Sequence, residues 1–391
     1  MKMIALIVLM AGWGSFPVSA SPGVERGMYQ VGDNQASRIT AVEFDSSFNS
    51  DNFSDELVFE VPSGATSMQI EVYASDLSAV PLVADLVRLG TDGGVVETLI
   101  SHVVAQGSDP ALVRNAASFS KEPGPYLSPN RSIGGLMGYA SAVVPNNPGV
   151  ALTPGAWRAR IKDLTGGLSD RGFKMRVLFR IPETAARKKI LPLNLYFTGA
   201  GGWTTKTYRS NRVDIKAFFN ALAVIFANAG IELRIASVAD IGDASKEPEK
   251  FKISTGEKLN ELFRSGGAKN GVKLFFVQSV LGGVGGISSG IGGPKVSANY
   301  PFGGIALSEA YTSYPTIFSI ITAHELGHYL GLYHDKEYGT LLFDQIPDTT
   351  DNGVPPNVMD AQASNTPDQV REFTPQQSAV MSRHPAIIEI P

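Results

Sequence analysis

The segment from His324 to His334 constrains this chain more strongly than any other part of the sequence. It runs His-Glu-Leu-Gly-His-Tyr-Leu-Gly-Leu-Tyr-His and fits the pattern HExxHxxGxxH at all five specified positions. The chain has 391 residues but only five histidines, and three of the five fall in this one segment. Ordinary core or surface histidines are the alternative interpretation, but they would have no reason to adopt this spacing.

Helix geometry explains the spacing of these histidines. The apolar run from Ile317 to Ala323 predicts a buried helix, and His324 and His328, four residues apart, would project from the same side of it. Gly331 can take the positive φ that ends a helix, so the chain can turn back and bring His334 to the same point. We therefore expect three imidazoles to meet at a single ion.

Three histidines around one ion are typical of catalytic zinc. Neutral imidazoles fill three of the four tetrahedral positions and leave the last one to water, whose pKa zinc lowers towards about 7. Glu325 directly follows the first histidine, where a carboxylate can take the proton of this water and pass it to a leaving amine. The sequence predicts a zinc site with a general base, formed by His324, His328, His334 and Glu325.

The first 20 residues predict a cleavable secretory signal. Lys2 precedes an apolar run from Met3 to Ala11, and the segment ends in the small residues Val18-Ser19-Ala20. A short buried N-terminal helix is the alternative. We expect a secreted or periplasmic protein after cleavage near Ala20, and no other stretch has the roughly 18 to 20 apolar residues that a membrane span needs.

Composition narrows the classes of partner. With 37 acidic and 33 basic residues the formal net charge is −4, which disfavours binding to nucleic acid. The chain has no cysteine, so it has neither disulfide bonds nor a lipid-anchoring thiol. A hydrophobic content of 43% is typical of a folded globular protein with a large core. No feature of the sequence indicates an oligomeric state.

Hydrophobic patterning predicts a multidomain protein, with an N-terminal all-β sandwich followed by an α/β domain. In residues 21–184 short apolar runs alternate with polar residues in the manner of strands, as in Leu57–Val61, Met68–Tyr73, Ala156–Ile161 and Phe173–Ile181. Long loops are expected from Gln106 to Val150, where Pro, Asn, Ser and Gly dominate. A linker is expected at Thr184–Lys189.

Residues 190–391 follow a different pattern, in which strands alternate with helices. Strands are predicted at Leu191–Thr198, Ile231–Val238 and Lys273–Val280, and helices at Val213–Ala229 and Glu257–Phe263. Two further histidines, His102 in the first domain and His384 near the C-terminus, are expected at the surface.

The histidine segment resembles the zinc helix of metzincin metalloproteases. Metzincins also have a methionine turn beneath the metal, and Asn357-Val358-Met359-Asp360 lies at a suitable distance for one, so the resemblance implies this role for Met359. An ordinary loop methionine is the alternative. The pappalysin-like branch is the most similar, because Gly331–His334, Asp344–Thr349 and Phe373–Gln377 also match its segments. The resemblance covers about Leu191 to Pro385.

Two departures from that branch are visible in the sequence. Its cysteines are all missing here, and Ala361 stands where several metzincins have a tyrosine that can touch the metal. Asp335, after the third histidine, is reminiscent of the adamalysin-like branch instead.

The resemblance implies a peptide-binding strand and an optional calcium site. In metzincins an edge strand of the sheet pairs with extended substrate, and the matching residues are Val284, Gly285, Gly286, Ile287, Ser288 and Ser289. Related proteases with a segment similar to Asp344–Thr349 bind calcium, which implies Asp344, Asp348 and Asp351 as ligands. A turn rich in Asp, Pro and Gly explains the same residues without an ion.

The predicted function is therefore a secreted zinc metalloendopeptidase acting on protein or peptide substrates. The alternative is an exported adhesin or carbohydrate-binding protein with an accessory metalloprotease-like domain, and a zinc hydrolase of non-peptide amides would share the same site. Some metzincins are kept latent by an aspartate in a Phe-x-Gly-Asp segment, of which Gly32-Asp33 matches the last two positions. A common turn is the alternative for that pair.

Overall fold

The computed structural model describes residues 37–75, 79–100, 135–136, 138–165, 171–186, 188–267, 270–296, 302–335, 346, 348–349, 356–361 and 371–391. The predicted signal, the Gly32-Asp33 pair and His102 lie outside these residues. The chain divides into two compact units, which meet in sequence between Ala185 and Ala186. Among the described helices, none combines the length and apolar character required to cross a membrane.

The N-terminal unit consists of antiparallel strands in its described part. The strands are β1 (Ser37–Ser47), β2 (Leu57–Val61), β3 (Ser67–Ala74), β4 (Pro81–Leu89), β5 (Val95–Ile100), β6 (Gly135–Leu136), β7 (Tyr139–Val144), β8 (Gly155–Asp163) and β9 (Gly172–Pro182). They form one sheet in the order β1-β9-β3-β7-β6 and a second in the order β2-β8-β4-β5. Alternate residues of both sheets meet in a hydrophobic core that includes Phe59, Val72, Trp157 and Val177.

The expectation of long loops from Gln106 to Val150 is wrong for part of that range. Strand β7 lies inside the first sheet and pairs with β3 from Met68↔Val144 to Tyr73↔Tyr139. Its core-facing residues include the small Ala140 and Ala142, which weaken the apolar alternation that marks a strand in the sequence. Residues 106–134 lie outside the described part of the chain.

The C-terminal unit is built on a mixed sheet. Its strands are β10 (Lys188–Phe197), β11 (Ile231–Asp240), β12 (Val272–Val277), β13 (Gly286–Ser288), β14 (Ile305–Ser308) and β15 (Ile388–Ile390). The sheet order is β11-β10-β12-β14-β13, in which β10, β11, β12 and β14 are parallel and β13 is antiparallel at the edge. Strand β15 pairs antiparallel with β10, and β10 begins inside the predicted linker because Lys188 and Lys189 join this pairing.

Helices cover the sheet of the C-terminal unit. They are α1 (Thr205–Arg209), α2 (Val213–Asn228), α3 (Pro248–Phe251), α4 (Gly256–Ser265), α5 (Pro315–Tyr329) and α6 (Pro375–Met381). Helix α2 presents one buried stripe, made by Ile215, Phe218, Leu222, Ile225 and Phe226. Helix α5 is buried on most sides, and its Phe318 packs in an aromatic cluster with Trp203, Phe218 and Phe276. This packing fixes the helix that carries the first two histidines of the motif.

Candidate metal centre

The structure brings the three motif histidines together at the end of α5. His324 and His328 lie on the last turns of the helix, and Gly331 has a φ of 106°, outside the range that a side chain tolerates well. The helix end is closed by hydrogen bonds from the Gly331 N–H to the His328 carbonyl (3.0 Å) and from the Leu332 N–H to the Gly327 carbonyl (2.9 Å). The reversed chain then returns His334 to the helix.

The Nε2 atoms of the three rings converge on one point. Nε2 of His334 lies 3.1 Å from Nε2 of His328 and 3.2 Å from Nε2 of His324. Tetrahedral zinc with Zn–N bonds of about 2.0–2.1 Å places its nitrogen ligands about 3.3 Å apart. The observed separations fit such an ion closely, and the three side chains can hold one metal.

Hydrogen bonds to the Nδ1 atoms of two of the rings prepare these rings to bind a metal through Nε2. Nδ1 of His324 lies 2.8 Å from the Val358 carbonyl oxygen, and Nδ1 of His328 lies 2.8 Å from the Leu332 carbonyl oxygen. A carbonyl only accepts, so in the neutral rings the proton sits on Nδ1 and the lone pair of Nε2 faces the shared point. Burial, reinforced by the neighbouring His334, lowers the pKa of His324 to about 4, which keeps this ring neutral.

Glu325 directly follows His324 on α5, and its side chain lies against the edge strand with its carboxyl near His334. Its side chain is half-buried, and burial raises the pKa of its carboxyl to about 7. The backbone N–H of Ser288 and the neighbouring His334 act in the opposite direction and favour the charged form. A metal cation held by the histidines would favour the carboxylate further. With a cation bound, the carboxyl would therefore be held in the charged form that a general base requires.

A turn beneath the site joins two of the three histidine segments. The Val358 carbonyl accepts from His324, and the Met359 carbonyl accepts from the Asp335 N–H at 3.1 Å, directly after His334. Met359 is fully buried, and its Sδ would lie 2.4 Å from a Cβ placed on Gly327, so the helix is in close contact with the turn. Met359 therefore lies directly against the last turns of α5, next to the site.

A buried polar network supports this turn, and sequence reasoning missed it. The Asn357 side chain accepts from the Met359 N–H (2.7 Å) and exchanges two hydrogen bonds with Gln377 of α6 (3.0 and 3.2 Å). Arg371 donates to the Asn357 carbonyl (2.9 Å) and pairs with Asp360 (3.3 Å). The available signal was the Thr374–Gln377 capping box, which identifies the start of α6 but not the partner that Gln377 reaches.

The predicted peptide-binding residues surround the edge strand β13. Gly286, Ile287 and Ser288 form the strand, and Gly285 and Ser289 continue its pairing with hydrogen bonds to Ser308 and Gly304. In an antiparallel ladder the backbone N–H and C=O groups of successive residues point alternately toward and away from the neighbouring strand. Gly285 and Ser289 point theirs toward β14, so Gly286 and Ser288 point theirs away from it. Val284 precedes the strand and is 47% exposed.

The three aspartates of the predicted calcium site are only partly described. Asp344 and Asp351 lie outside the described residues. Both carboxylate oxygens of Asp348 bind the first turn of α6, one accepting from the Thr374 hydroxyl (2.7 Å) and the other from the Gln376 N–H (3.0 Å). Asp348 therefore has a structural task that needs no ion, and calcium binding stays a prediction.

His384 is a correction to the sequence expectation, because it is fully buried and not at the surface. Its Nε2 donates to the Gly293 carbonyl (2.7 Å), and its Nδ1 accepts from the Ala386 N–H (3.1 Å). Its ring also packs against Tyr329, at the end of α5. The histidine thus ties the segment after β13 to the C-terminal part of the unit.

Comparisons with known proteins add little to this geometry. No family model matches the chain, and no curated protein matches it in sequence. Among solved structures, metalloproteinase-II from Bacteroides fragilis is similar at 16% identity and a TM-score of 0.25, covering 42% of this chain and 49% of that one. This chain thus spans about half the length of that protein.

Family two carbohydrate esterases are also similar, at lower scores. The enzyme from Clostridium thermocellum in complex with cellohexaose has 7% identity and a TM-score of 0.15, covering 59% of this chain and 60% of that one. The enzyme from Cellvibrio japonicus has 6% identity and a TM-score of 0.14, covering 51% and 53%. Similarities at these TM-scores establish neither a common fold nor a common activity.

Proposed function

We propose that this chain is a secreted zinc-dependent endopeptidase with Glu325 as its general base. The observation that carries the proposal is the convergence of three Nε2 atoms, 3.1 and 3.2 Å apart, beside a half-buried carboxyl. The donor set is three imidazoles, which zinc prefers over the oxygen ligands that calcium and magnesium require. A bound zinc ion would supply a Lewis acid that polarises a carbonyl and acidifies water.

The residues of the chain would divide the remaining work. His324, His328 and His334 hold the ion, and the Val358 and Leu332 carbonyls keep two of these rings in the required tautomer. Glu325 would accept a proton from the attacking water and return it to the leaving amine. Met359 packs beneath the helix turn that carries the ligands.

The edge strand supports a peptide as the substrate. Both backbone groups of Gly286 and the carbonyl of Ser288 face away from β14 and can pair with an extended chain, which adds a strand to the sheet. Such pairing forms hydrogen bonds with the substrate backbone and does not depend on its side chains. It is therefore compatible with proteins or peptides of any sequence. Secretion belongs to the proposal through the predicted signal that ends near Ala20.

Metal analysis combined with digestion of casein tests the proposal. The wild-type protein, without residues 1–20, should contain one zinc per chain and cleave casein, and a chelator should abolish cleavage. Glu325→Gln should keep the zinc but lose cleavage, since the amide cannot accept the proton. Glu261→Gln, an exposed position on α4, is the matched control and should cleave like wild type.

Three outcomes would contradict the proposal. Absence of zinc would refute the site, whereas zinc without cleavage of any unfolded protein would favour an accessory role for this domain in an adhesin or carbohydrate-binding protein. Cleavage by Glu325→Gln at the wild-type rate would refute the assigned general base.

A further inference from the structure

Gly286 lies where the edge strand crosses the side chain of Glu325. A Cβ atom placed on Gly286 would lie 2.7 Å from Cγ of Glu325, a distance that real carbon atoms do not adopt. The next nearest atoms, Cδ2 of Leu307 and Cγ2 of Ile321, would lie 3.2 and 3.3 Å away. Leu307 and Ile321 would have to shift by a few tenths of an ångström, whereas Glu325 is the neighbour that a side chain at this position would displace most.

Backbone conformation does not explain the glycine at this position. Gly286 does not have a positive φ, and it pairs regularly with Leu307 of the antiparallel strand β14. Its buried location would favour an alanine or a larger apolar residue in an ordinary strand. The space that Gly286 leaves is therefore needed by a neighbour and not by the strand itself.

Glu325 has little freedom to accept a side chain there. Its backbone lies in α5 between His324 and the fully buried Leu326, so the helix cannot shift without moving a metal ligand. The position of Cγ depends on χ1 alone, and a helix allows essentially two χ1 rotamers. Displacing Cγ would therefore swing the carboxyl group to a different place.

We propose that Gly286 is a positioning residue for Glu325, because its missing side chain provides the space that holds the carboxyl beside the three histidines. This inference rests on the proposed function for the role of Glu325. It assigns the glycine to the general base and not to close approach of the substrate, since its absent Cβ would point toward α5.

Gly266, at the end of α4, provides a matched control outside the site. A Cβ on Gly266 would lie 2.8 Å from Cζ of Phe275 and 3.0 Å from Cδ of Lys273, and none of its three nearest atoms belongs to Glu325. Gly266 is also buried and has a φ of −73°, which alanine adopts without strain. Alanine at either position therefore crowds buried neighbours to a comparable degree, but only Gly286→Ala displaces Glu325.

Peptidase kinetics form the first test. Gly286→Ala should lower kcat on the order of 10²-fold, as a misplaced catalytic group does, with zinc content and KM close to wild type. Gly266→Ala should keep kcat within a few-fold of wild type. Equal values of kcat in the two variants would overturn the inference.

A double-mutant cycle provides a readout that does not depend on peptide cleavage. In the cobalt-substituted protein, Gly286→Ala should change the visible spectrum of the metal, because the carboxyl beside the ion moves. The same substitution in a Glu325→Ala background should leave the spectrum unchanged, since no Cγ remains to be displaced. An equal spectral change in both backgrounds, or none in either, would overturn the inference.

Thermal unfolding of the metal-free protein repeats the cycle if Gly286→Ala folds poorly. The loss in Tm caused by Gly286→Ala should largely disappear in the Glu325→Ala background, where the crowded atom is gone. A loss of the same size in both backgrounds would contradict the inference. If these cycles succeed but no protein is cleaved, the proposed function fails and the positioning role stands.

Discussion

The carbonyl oxygen of Val358 accepts a hydrogen bond from Nδ1 of His324 across 2.8 Å. This contact joins the turn at Asn357–Met359 to the first ligand of the candidate metal centre. Since the adjacent Met359 carbonyl accepts from Asp335, the same turn also holds the segment that carries His334. The position of the turn therefore sets the position of two imidazoles relative to α5.

Removing the Asn357 side chain should weaken metal binding. Asn357→Ala leaves the Met359 N–H and the Gln377 amide N–H without the oxygen that accepts from them, so the turn loses part of its support. Loss of such supporting contacts typically costs 10-fold to 100-fold in metal affinity, and we expect about 10-fold, measured by competition with a chromophoric chelator. Asn228→Ala removes an exposed side-chain hydrogen bond to Glu372 and should retain wild-type zinc affinity. Unchanged zinc affinity in Asn357→Ala would contradict the assigned support.

Substitution of Gly331 should affect both stability and metal affinity. At a φ of 106° an alanine is strained by about 1 kcal/mol or more, and relief of that strain would move His334 away from the other ligands. Gly230 follows α2 with a φ of 71° and open space around it, so Gly230→Ala should lose stability while it keeps zinc affinity. Denaturant unfolding and the same chelator competition separate the two effects. Full zinc affinity in Gly331→Ala would show that the turn does not position His334.

The buried Lys273 should make stability depend on pH. Burial lowers its pKa from 10.5 to about 7, and its Nζ donates to the carbonyls of Phe263 (2.5 Å) and Gly267 (3.2 Å). Below about pH 7 both the folded and the unfolded chain hold the proton, and the cost of burying the charge is fully present. Between about 7 and 10.5 the unfolded chain holds more protons, so this contribution to the free energy of unfolding rises with pH.

A comparison with Lys273→Met isolates that contribution. The free energy of unfolding of wild type minus that of the variant should increase from pH 6.5 to pH 9.5, measured by urea denaturation with a chelator present to exclude metal binding. The exposed Lys206→Met is the control, and its difference from wild type should stay flat over the same range. A flat difference for Lys273→Met would refute the lowered pKa.

Asp348→Ala should destabilise the C-terminal unit without any involvement of calcium. The substitution removes both bonds to the first turn of α6, which we expect to cost about 1 kcal/mol in the presence of chelator. Thr374→Ala removes one of these bonds and also the capping bond that the hydroxyl accepts from the Gln377 N–H, so it should cost at least as much. If calcium raises the Tm of wild type but not that of Asp348→Ala, the predicted calcium site is supported. If Asp348→Ala in chelator has the same Tm as wild type, the capping role is contradicted.

Local patterns were enough to predict much of the architecture around the site. The spacing of His324 and His328 and the glycine at 331 specify a helix that ends in a reversal, and the structure has both features. The apolar stripe of α2 likewise depends on neighbouring residues, and its predicted end differs from the observed one at Asn228 by a single residue. Such features need no knowledge of distant partners.

Features that depend on distant partners could not be predicted from the sequence. Asn357 and Gln377 are 20 residues apart, and Gly293 and His384 are 91 apart, so no local period signals either contact. His384 looks like a surface residue in the sequence because its neighbours Arg383 and Pro385 are typical of loops. Its burial results from long-range contacts, in which both ring nitrogens find backbone partners.

The pairing of Lys188 with Ile390 has a practical consequence. The first strand of the C-terminal unit and its last strand are neighbours, so the two ends of this unit lie close together in space. New ends could be opened at a surface loop and the present ones joined by a short linker, giving a circular permutant with the same sheet. The unit could also be grafted into a loop of another protein, because its entry and exit points lie side by side.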